Sequence, residues 1–174
     1  MLDRIAESFG ETCYEVPVGF KHISAKMAET DALIGGESSG GLTVRGHING
    51  KDGIYAATLL VEMIALSGKK LSQLYKEIQR QYGYRFMAEY SIAFAPEQKE
   101  KLLKIIYEEK RLPDFSLPVE KVSYLDGCKV YFQNGGWITA RFSGTEPLLR
   151  IFCEMKEETE ARKLCELFRE FLKL

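Results

Sequence analysis

The sequence predicts an α/β unit followed by an α+β unit. In the first half, strand-like segments alternate with helix-like ones, whereas the second half orders one strand, a helix, three strands and a final helix. A length of 174 residues, 45% of them apolar, suits one ordinary domain or two small ones. The order of predicted strands and helices changes around Tyr84, so we predict that the first unit comprises residues 1–84 and the second residues 85–174.

The first unit opens with four short elements. Residues 2–9 form an apolar helical face that Gly10 closes. Residues 12–16 then predict a strand. Residues 23–29 predict a short helix, and residues 32–34 predict a short buried strand that runs into glycines.

Two helices with clear end signals follow. Asp52 is a suitable N-cap for a long helix that Gly68 ends. Apolar residues cover nearly the whole circumference of this helix, so we expect it to be buried on most sides. The next helix has Ser72 as its candidate N-cap and ends at Gly83.

The second unit begins with a strand over residues 85–94, after which Pro96 takes the first position of a charged amphipathic helix. Residues 129–133 and 137–142 predict a hairpin, because Asn134-Gly135-Gly136 joins them.

In the last two elements, apolar side chains recur at a regular spacing. Residues 149–155 alternate apolar and polar side chains, which predicts a strand with one buried face. Residues 161–172 repeat apolar side chains at helical spacing, which predicts a final amphipathic helix.

Composition excludes several classes of protein. The net charge is −1, with 24 basic against 25 acidic residues, which argues against nucleic-acid and membrane-surface partners. The sequence contains no apolar stretch of about 18 residues, so it predicts no membrane-spanning helix. The N-terminus does not resemble a signal peptide, and the four cysteines lack metal-ligand spacing. We therefore expect reduced thiols in a cytoplasmic protein with no metal site.

A glycine-rich loop over residues 34–41 is the first candidate site. It is open to three interpretations besides a ligand loop: a flexible turn, a G-x-S-x-G nucleophile elbow and a P-loop. The elbow needs a downstream acid and histidine that His47 alone does not supply, and no Gly-Lys-Ser/Thr ends the loop. What remains is the carboxylate of Glu37 with neighbouring hydroxyls, a set that accepts hydrogen bonds from vicinal sugar hydroxyls.

A second candidate site lies between two predicted strands. Arg141 and Arg150 flank Ser143, Gly144 and Thr145. Phosphate needs convergent donors and positive charge, which a glycine turn, two hydroxyls and guanidinium groups provide. A polar β-turn with two solvated arginines is an equally good interpretation of these residues.

A third and weaker candidate is the segment around Gly19, Lys21 and His22. Lys21 can meet a phosphate and His22 can move a proton near neutral pH. A solvated Lys-His pair is the commoner outcome for such a spacing.

These three loops occur in the same order in one family. The chain resembles, over essentially its whole length, the C-terminal part of the α-D-phosphohexomutases, the phosphoglucomutase and phosphomannomutase enzymes. Residues 36–40 resemble the family's sugar-binding loop Gly-Glu-x-Ser-Gly, and residues 141–147 resemble its phosphate-binding loop Arg-x-Ser-Gly-Thr-Glu-Pro. Residues 18–21 are similar to a loop that helps recognise the sugar phosphate, and residues 51–53 to a segment that opens a long helix.

The resemblance implies a fold and a set of site residues. The fold is a partial third α/β domain of a phosphohexomutase followed by a small α+β fourth domain like the TATA-binding protein. The implied substrate-binding residues are Glu37, Ser39, Lys21 and Gly19. The implied phosphate-binding residues are Arg141, Ser143, Gly144, Thr145 and Arg150.

The chain also departs from the family pattern. It has neither the phosphoserine segment, which carries a Ser-His pair, nor the Asp-Gly-Asp-x-Asp loop that binds Mg²⁺. The resemblance therefore implies no catalytic residue and no cofactor in this chain, with Mg²⁺ held by the missing second domain of the full-length enzyme. The expected partners are a hexose phosphate and the missing N-terminal domains, and an incomplete third domain predicts self-association through exposed apolar surface.

Two other functions compete with this interpretation. One is a stand-alone, non-catalytic module that binds a sugar phosphate or regulates another protein. The other is a nucleic-acid binder, which the balanced charge and the lack of a basic stripe with interleaved aromatics disfavour.

Overall fold

The chain folds into two units, Met1–Gly83 and Tyr84–Leu174. The computed structural model describes every residue from 1 to 174. Gly83, at the end of the first unit, has a φ of 92° that favours glycine. None of the helices combines the length and the apolar character needed to cross a bilayer.

The first unit contains four helices and one two-stranded sheet. Its elements are α1 (Leu2–Ser8), α2 (Phe20–Thr30), β1 (Ile34–Gly36), β2 (Leu42–Val44), α3 (Gly53–Ser67) and α4 (Leu71–Tyr82). The two strands pair antiparallel, with Ile34 opposite Val44. The helices at residues 2–9 and 23–29 and the long helix after Asp52 are confirmed.

Two strand predictions in this unit were wrong. Residues 12–16 form no strand, because no other segment of the unit pairs with them. The strand predicted at residues 32–34 lies at Ile34–Gly36 and is not buried, since Ile34 is 57% exposed. Its partner β2 was not predicted; its three residues give too short a pattern to distinguish a strand from a loop.

The ends of α3 follow the sequence signals. Asp52 Oδ1 accepts hydrogen bonds from the backbone N–H groups of Ile54 (3.0 Å) and Tyr55 (2.9 Å), so Asp52 is the N-cap. Gly68 ends the helix in the left-handed conformation, with φ 64°.

The α4 helix begins differently from the prediction. Its N-cap is Lys70 rather than Ser72. The side-chain Oε1 of Gln73 accepts a hydrogen bond from the Lys70 backbone N–H at 2.9 Å, so the first turn is closed from within and Ser72 lies inside it. Gly83 ends the helix as predicted.

The apolar surface of α3 is largely exposed, which corrects the expectation that this helix is buried on most sides. No residue of α3 is buried, because the small β1–β2 hairpin offers too little surface to cover it. The large exposed side chains on α3 are Ile54, Leu60, Val61, Met63, Ile64 and Leu66. This exposure agrees with the expectation for an incomplete α/β domain.

The second unit is a five-stranded antiparallel sheet in the order β3-β7-β6-β5-β4, with helices packed on it. Its strands are β3 (Phe86–Ala93), β4 (Val119–Ser123), β5 (Cys128–Phe132), β6 (Trp137–Phe142) and β7 (Leu148–Met155). A 3₁₀ turn (Pro96–Gln98), α5 (Lys99–Leu103) and a π turn (Lys104–Glu108) follow β3, and α6 (Glu158–Leu172) ends the unit. The predicted order lacked β4, a charged edge strand directly after Pro118.

The core of the second unit lies between the sheet and α6. Alternate residues of β7 are fully buried, and the apolar face of α6 packs in the same cluster, as the periods predict. Burying this cluster supplies most of the unit's hydrophobic stabilisation. Its largest fully buried side chains include Phe132, Phe168 and Met155.

All four cysteines are free thiols. Cys13 is exposed, whereas Cys128, Cys153 and Cys165 are buried. Burial is the main cause that raises the pKa of the Cys128 thiol, and a side-chain hydrogen bond with Cys165 is the main cause that raises the pKa of Cys153.

Candidate functional site

The first candidate site is the turn between β1 and β2, which we call the Glu37 loop (residues 36–41). The Glu37 N–H donates to the Gly41 carbonyl at 2.8 Å, and the Gly40 N–H donates to the Glu37 carbonyl at 3.0 Å. Gly40 has a φ of 93°, a conformation that favours glycine. The antiparallel hairpin therefore fixes the backbone that carries Glu37.

The Glu37 carboxylate is held by a lysine from outside the loop. Lys51 Nζ lies 2.9 Å from Glu37 Oε2, and the Glu37 side chain is 17% exposed. Ser39 Oγ lies 3.5 Å from the same oxygen, at the limit of a hydrogen bond. The side chains of Glu37 and Ser39 thus lie next to each other, and Lys51, which the sequence did not indicate as a site residue, contacts Glu37.

A close approach at Gly41 makes the ion pair possible. A Cβ at this position would lie 2.5 Å from Lys51 Cδ and 3.0 Å from Glu37 Oε2. Any larger residue at Gly41 would displace the lysine side chain. The glycines of the loop therefore admit Lys51 as well as shape the turn.

The start of α2 contacts the same region. Gly19 precedes the helix with a φ of 124°, and Lys51 Nζ lies 5.8 Å from the Phe20 ring centroid. Ser24 Oγ also donates to the Asn49 carbonyl at 2.9 Å. These contacts place the segment around Gly19 beside the segment that leads into α3.

The position of Lys21 is less constrained. It is the second residue of α2 and is exposed. No hydrogen bond or ion pair joins it to the Glu37 loop. The structure therefore brings Glu37, Ser39 and Lys51 together. Gly19 lies nearby, because the next residue, Phe20, contacts Lys51, whereas Lys21 is exposed and forms no hydrogen bond or ion pair with the loop.

Lys51 also leads into a polar cluster at the start of α3. Asp52 Oδ2 lies 2.9 Å from His47 Nε2, and the His47 and Tyr55 rings stack with centroids 3.9 Å apart. The Tyr55 backbone N–H, followed by the His47 hydrogen bond, lowers the pKa of the Asp52 carboxyl. Because this cluster fixes the residue after Lys51, it also limits where Lys51 can reach.

The second candidate site is the turn between β6 and β7, which we call the Ser143 loop (residues 143–147). The Ser143 N–H donates to the Leu148 carbonyl at 2.8 Å, and the Thr145 N–H to Ser143 Oγ at 3.4 Å. Gly144 and Thr145 are exposed. A Cβ at Gly144 would meet no atom within 4 Å, so the space above the loop is open to a ligand.

Two arginines stand opposite each other below this loop. Arg141 on β6 pairs with Arg150 on β7, and cross-strand partners project from the same face of the sheet. Arg141 Nη1 lies 3.6 Å from Asp126 Oδ2, and Arg150 Nη2 lies 3.6 Å from Glu146 Oε2. Both ion pairs are long, and both guanidinium groups keep solvent access, with exposed fractions of 28% and 39%. Each guanidinium group is therefore accessible to an anion from solvent.

The Ser143 loop forms one wall of an open depression. The opposite wall is made by Phe94, Pro96 and Lys99, from the segment after β3. Lys99 is not recognisable as a site residue from the sequence, because one lysine in a charged helix carries no signal of its own. Only the fold places it beside a loop that lies about 45 residues later in the chain.

The residues of the chain do not fit a metal site. No group of three or more His, Cys, Asp or Glu side chains converges in the described chain. Proteins hold Mg²⁺ through carboxylate oxygens together with waters and substrate phosphates, and the family's Asp-Gly-Asp-x-Asp loop, which would supply the carboxylates, has no counterpart in the sequence. We therefore derive no step through a metal ion bound by these residues.

Two family models match the sequence. Residues 1–82 match the model described as phosphoglucomutase/phosphomannomutase, alpha/beta/alpha domain III. Residues 97–171 match the model described as the phosphoglucomutase/phosphomannomutase C-terminal domain. Together the two matches include the Glu37 loop and the Ser143 loop.

Curated relatives of the chain have names that agree with these family models. A phosphoglucomutase/phosphomannomutase of Thermococcus kodakarensis is 32% identical over 169 residues, which is 96% of this chain and 34% of the relative. A phosphoglucosamine mutase of Methanococcus maripaludis is 30% identical over 165 residues, 95% of this chain and 35% of the relative. The chain thus spans about a third of the length of the curated relatives it matches.

A solved structure shares the fold. The crystal structure of a phosphoglucomutase/phosphomannomutase family protein from Burkholderia thailandensis superposes with a TM-score of 0.75 at 23% identity. The superposition covers 99% of this chain and 34% of that one.

Proposed function

The chain belongs to the phosphoglucomutase/phosphomannomutase family, as a C-terminal part, and we propose that it supplies the sugar-selecting and phosphate-binding loops of a phosphohexomutase. The substrate class is a hexose phosphate, interconverted between its 1-phosphate and 6-phosphate forms by the complete enzyme. Relatives named for glucosamine extend this class to amino sugars.

The observation that carries the proposal is the pairing of Arg141 with Arg150. Like charges directly opposite each other on neighbouring strands destabilise a sheet. Each arginine here has only one long ion pair to offset that repulsion. A phosphate dianion above the pair relieves it, because the anion accepts hydrogen bonds from guanidinium groups in a fork geometry.

The loop above the arginines completes the set of donors. Ser143 and Thr145 contribute hydroxyls, and the exposed backbone at Gly144 admits close approach of a phosphate oxygen. In this proposal these residues hold the phosphate that is not being transferred. They bind and orient the substrate, and they take no part in bond making.

The Glu37 loop supplies the sugar contacts in the proposal. A carboxylate accepts hydrogen bonds from two neighbouring hydroxyls, and Glu37 presents one that is fixed by Lys51 yet partly exposed. Ser39 adds a hydroxyl beside it. Gly19 and Lys21, at the start of α2, help to recognise the sugar phosphate in this proposal.

We further propose that the chain alone does not catalyse the reaction. Phosphoryl transfer needs a nucleophile that carries the phosphoryl group and positive charge on the transferring group. The family supplies these from a phosphoserine segment and a Mg²⁺ loop, and the sequence contains no Ser-His pair and no Asp-x-Asp. The complete enzyme holds Mg²⁺ through residues that are not those of this chain.

Two measurements test the proposal. Pure chain mixed with glucose 1-phosphate and Mg²⁺ is expected to form no glucose 6-phosphate, and sustained turnover would contradict the assignment. Calorimetry is expected to detect weak binding, since part of the ligand meets no protein. Tight binding of glucose 1-phosphate would instead favour a stand-alone sugar-phosphate-binding module.

A further inference from the structure

Lys99 lies across an open depression from the Ser143 loop. The depression is lined on one side by Phe94, Pro96 and Lys99, and on the other by residues 143–147. Lys99 is exposed and takes part in no ion pair. An ammonium group therefore stands, without a counter-ion, beside a loop of exposed hydroxyl and amide donors.

The two walls are held together by the backbone. The Phe94 N–H donates to the Pro147 carbonyl at 3.2 Å, which ties the end of β3 to the Ser143 loop. The buried Phe94 ring also packs edge-on against Phe142, with centroids 5.6 Å apart. Motion of the end of β3 away from the loop would break these contacts.

The turn between Phe94 and Lys99 is equally fixed. Pro96 sets the first position of the 3₁₀ turn. The Ala95 N–H donates to Gln98 Oε1 at 2.8 Å, which closes the turn immediately before Lys99. The backbone of Lys99 is therefore positioned, while its four-carbon side chain remains free to reach a ligand.

The acid of the loop does not neutralise Lys99. Glu146 also lines the depression, but its Oε2 lies 3.6 Å from Arg150 Nη2. Arg141 and Arg150 lie on the two strands that the loop joins and pair with Asp126 and Glu146, whereas Lys99 is the one basic residue that lines the depression. Together these residues carry three positive charges against two negative ones. The excess of positive charge suits a phosphate monoester dianion.

We propose that Lys99 is a further phosphate-binding residue of the Ser143 loop. This inference rests on the proposed function, and it adds a contact from a different segment of the chain. The lysine ammonium group is a compact charge with three hydrogen-bond donors on a flexible side chain. The arginine guanidinium groups are planar and can donate two parallel hydrogen bonds to a phosphate. Its attraction for the ligand falls as salt is added, because the site is open to solvent.

The test is a titration of the whole chain with inorganic phosphate, followed through the amide NMR signals of Gly144 and Thr145. Lys99→Met is expected to raise the dissociation constant about five-fold at low salt, with the difference shrinking as sodium chloride is added. Lys99→Arg is expected to keep most of the affinity. Lys101→Met removes an exposed lysine from the same helix that does not line the depression, and it is expected to change nothing.

Arg141→Ala separates this inference from the proposed function. If Arg141→Ala weakens phosphate binding but Lys99→Met matches Lys101→Met, the role of Lys99 is overturned and the phosphate loop stands. If the wild-type chain shows no saturable shift at Gly144 and Thr145, the phosphate loop itself fails. Lys99→Gln provides a second, polar variant should the methionine variant melt at a lower temperature.

Discussion

Lys51 Nζ lies 2.9 Å from Oε2 of Glu37, although the two residues belong to different loops. This contact links the turn of the β1–β2 hairpin to the start of α3. It also gives the carboxylate that we assign to sugar binding a fixed position before any ligand arrives. The arrangement resembles other preorganised sites, in which a supporting residue locks the side chain that meets the ligand.

The first prediction concerns this positioning role. Lys51→Met is expected to free the Glu37 carboxylate and shift the amide NMR signals of Gly40 and Gly41. The loss in the free energy of unfolding is expected to stay below about 1 kcal/mol, because Lys51 is half exposed. Lys51→Arg is expected to restore the wild-type signals.

A matched ion pair elsewhere provides the control. Lys69 Nζ lies 2.8 Å from Glu77 Oε1 on the α4 side of the unit. Lys69→Met therefore removes a similar pair without touching the Glu37 loop. If Lys51→Met leaves the Gly40 and Gly41 signals as unchanged as Lys69→Met does, Lys51 does not position Glu37.

The second prediction concerns the cap of α3 and its dependence on pH. Asp52→Ala is expected to lower the melting temperature near neutral pH, because the Ile54 and Tyr55 N–H groups lose their acceptor. Asp52→Asn keeps an acceptor oxygen and is expected to lose less. Thermal melts of the three proteins measure the effect.

The sign of the pH dependence follows from the lowered pKa of Asp52. A carboxyl whose pKa is lower in the folded chain contributes stability above its ordinary value of 3.8, and loses it as the pH falls through the lowered value. The gap in melting temperature between wild type and Asp52→Ala is therefore expected to shrink below pH 3.8. A gap that stays constant or widens at acid pH would contradict this role.

The third prediction concerns the exposed apolar face of α3. Ile54 is 84% exposed and Val61 is 65% exposed, and residues seven apart lie on the same face of a helix. Apolar surface of this kind favours association. We propose that the isolated chain self-associates through this face, and that Ile54→Gln combined with Val61→Gln weakens the association. Sedimentation over a range of concentrations measures it.

A control from the second unit makes this result specific. Leu125 is 58% exposed but lies far along the chain from α3. Leu125→Gln is expected to leave the association unchanged. A wild-type chain that sediments as a monomer at every concentration would rule the proposal out.

The elements that local chemistry decides were predicted well from the sequence. Asp52 and Gly68 bound α3 because a cap needs only its immediate neighbours. The hairpin at Asn134-Gly135-Gly136 and the alternation along β7 likewise depend on neighbouring residues. The family and the fold class followed from the loops that these elements carry.

The errors come from pairings between distant segments. Residues 12–16 have a strand-like composition but no partner, and the edge strand β4 has a partner but a charged composition. The contact of Lys51 with Glu37 and the position of Lys99 opposite the Ser143 loop are also non-local. No short pattern in the sequence encodes such contacts.

The most direct test of the central proposal is an NMR titration of the whole chain with α-D-glucose 1-phosphate. The wild-type chain is expected to show saturable shifts at Gly144 and Thr145, which Arg141→Ala abolishes and Arg80→Ala, on α4 of the first unit, leaves intact. Glu37→Gln is expected to remove any accompanying shifts at Gly40 and Gly41, whereas Glu62→Gln on α3 keeps them. Absence of shifts at Gly144 and Thr145, or identical shifts in wild type and Arg141→Ala, would contradict the assignment of the phosphate loop.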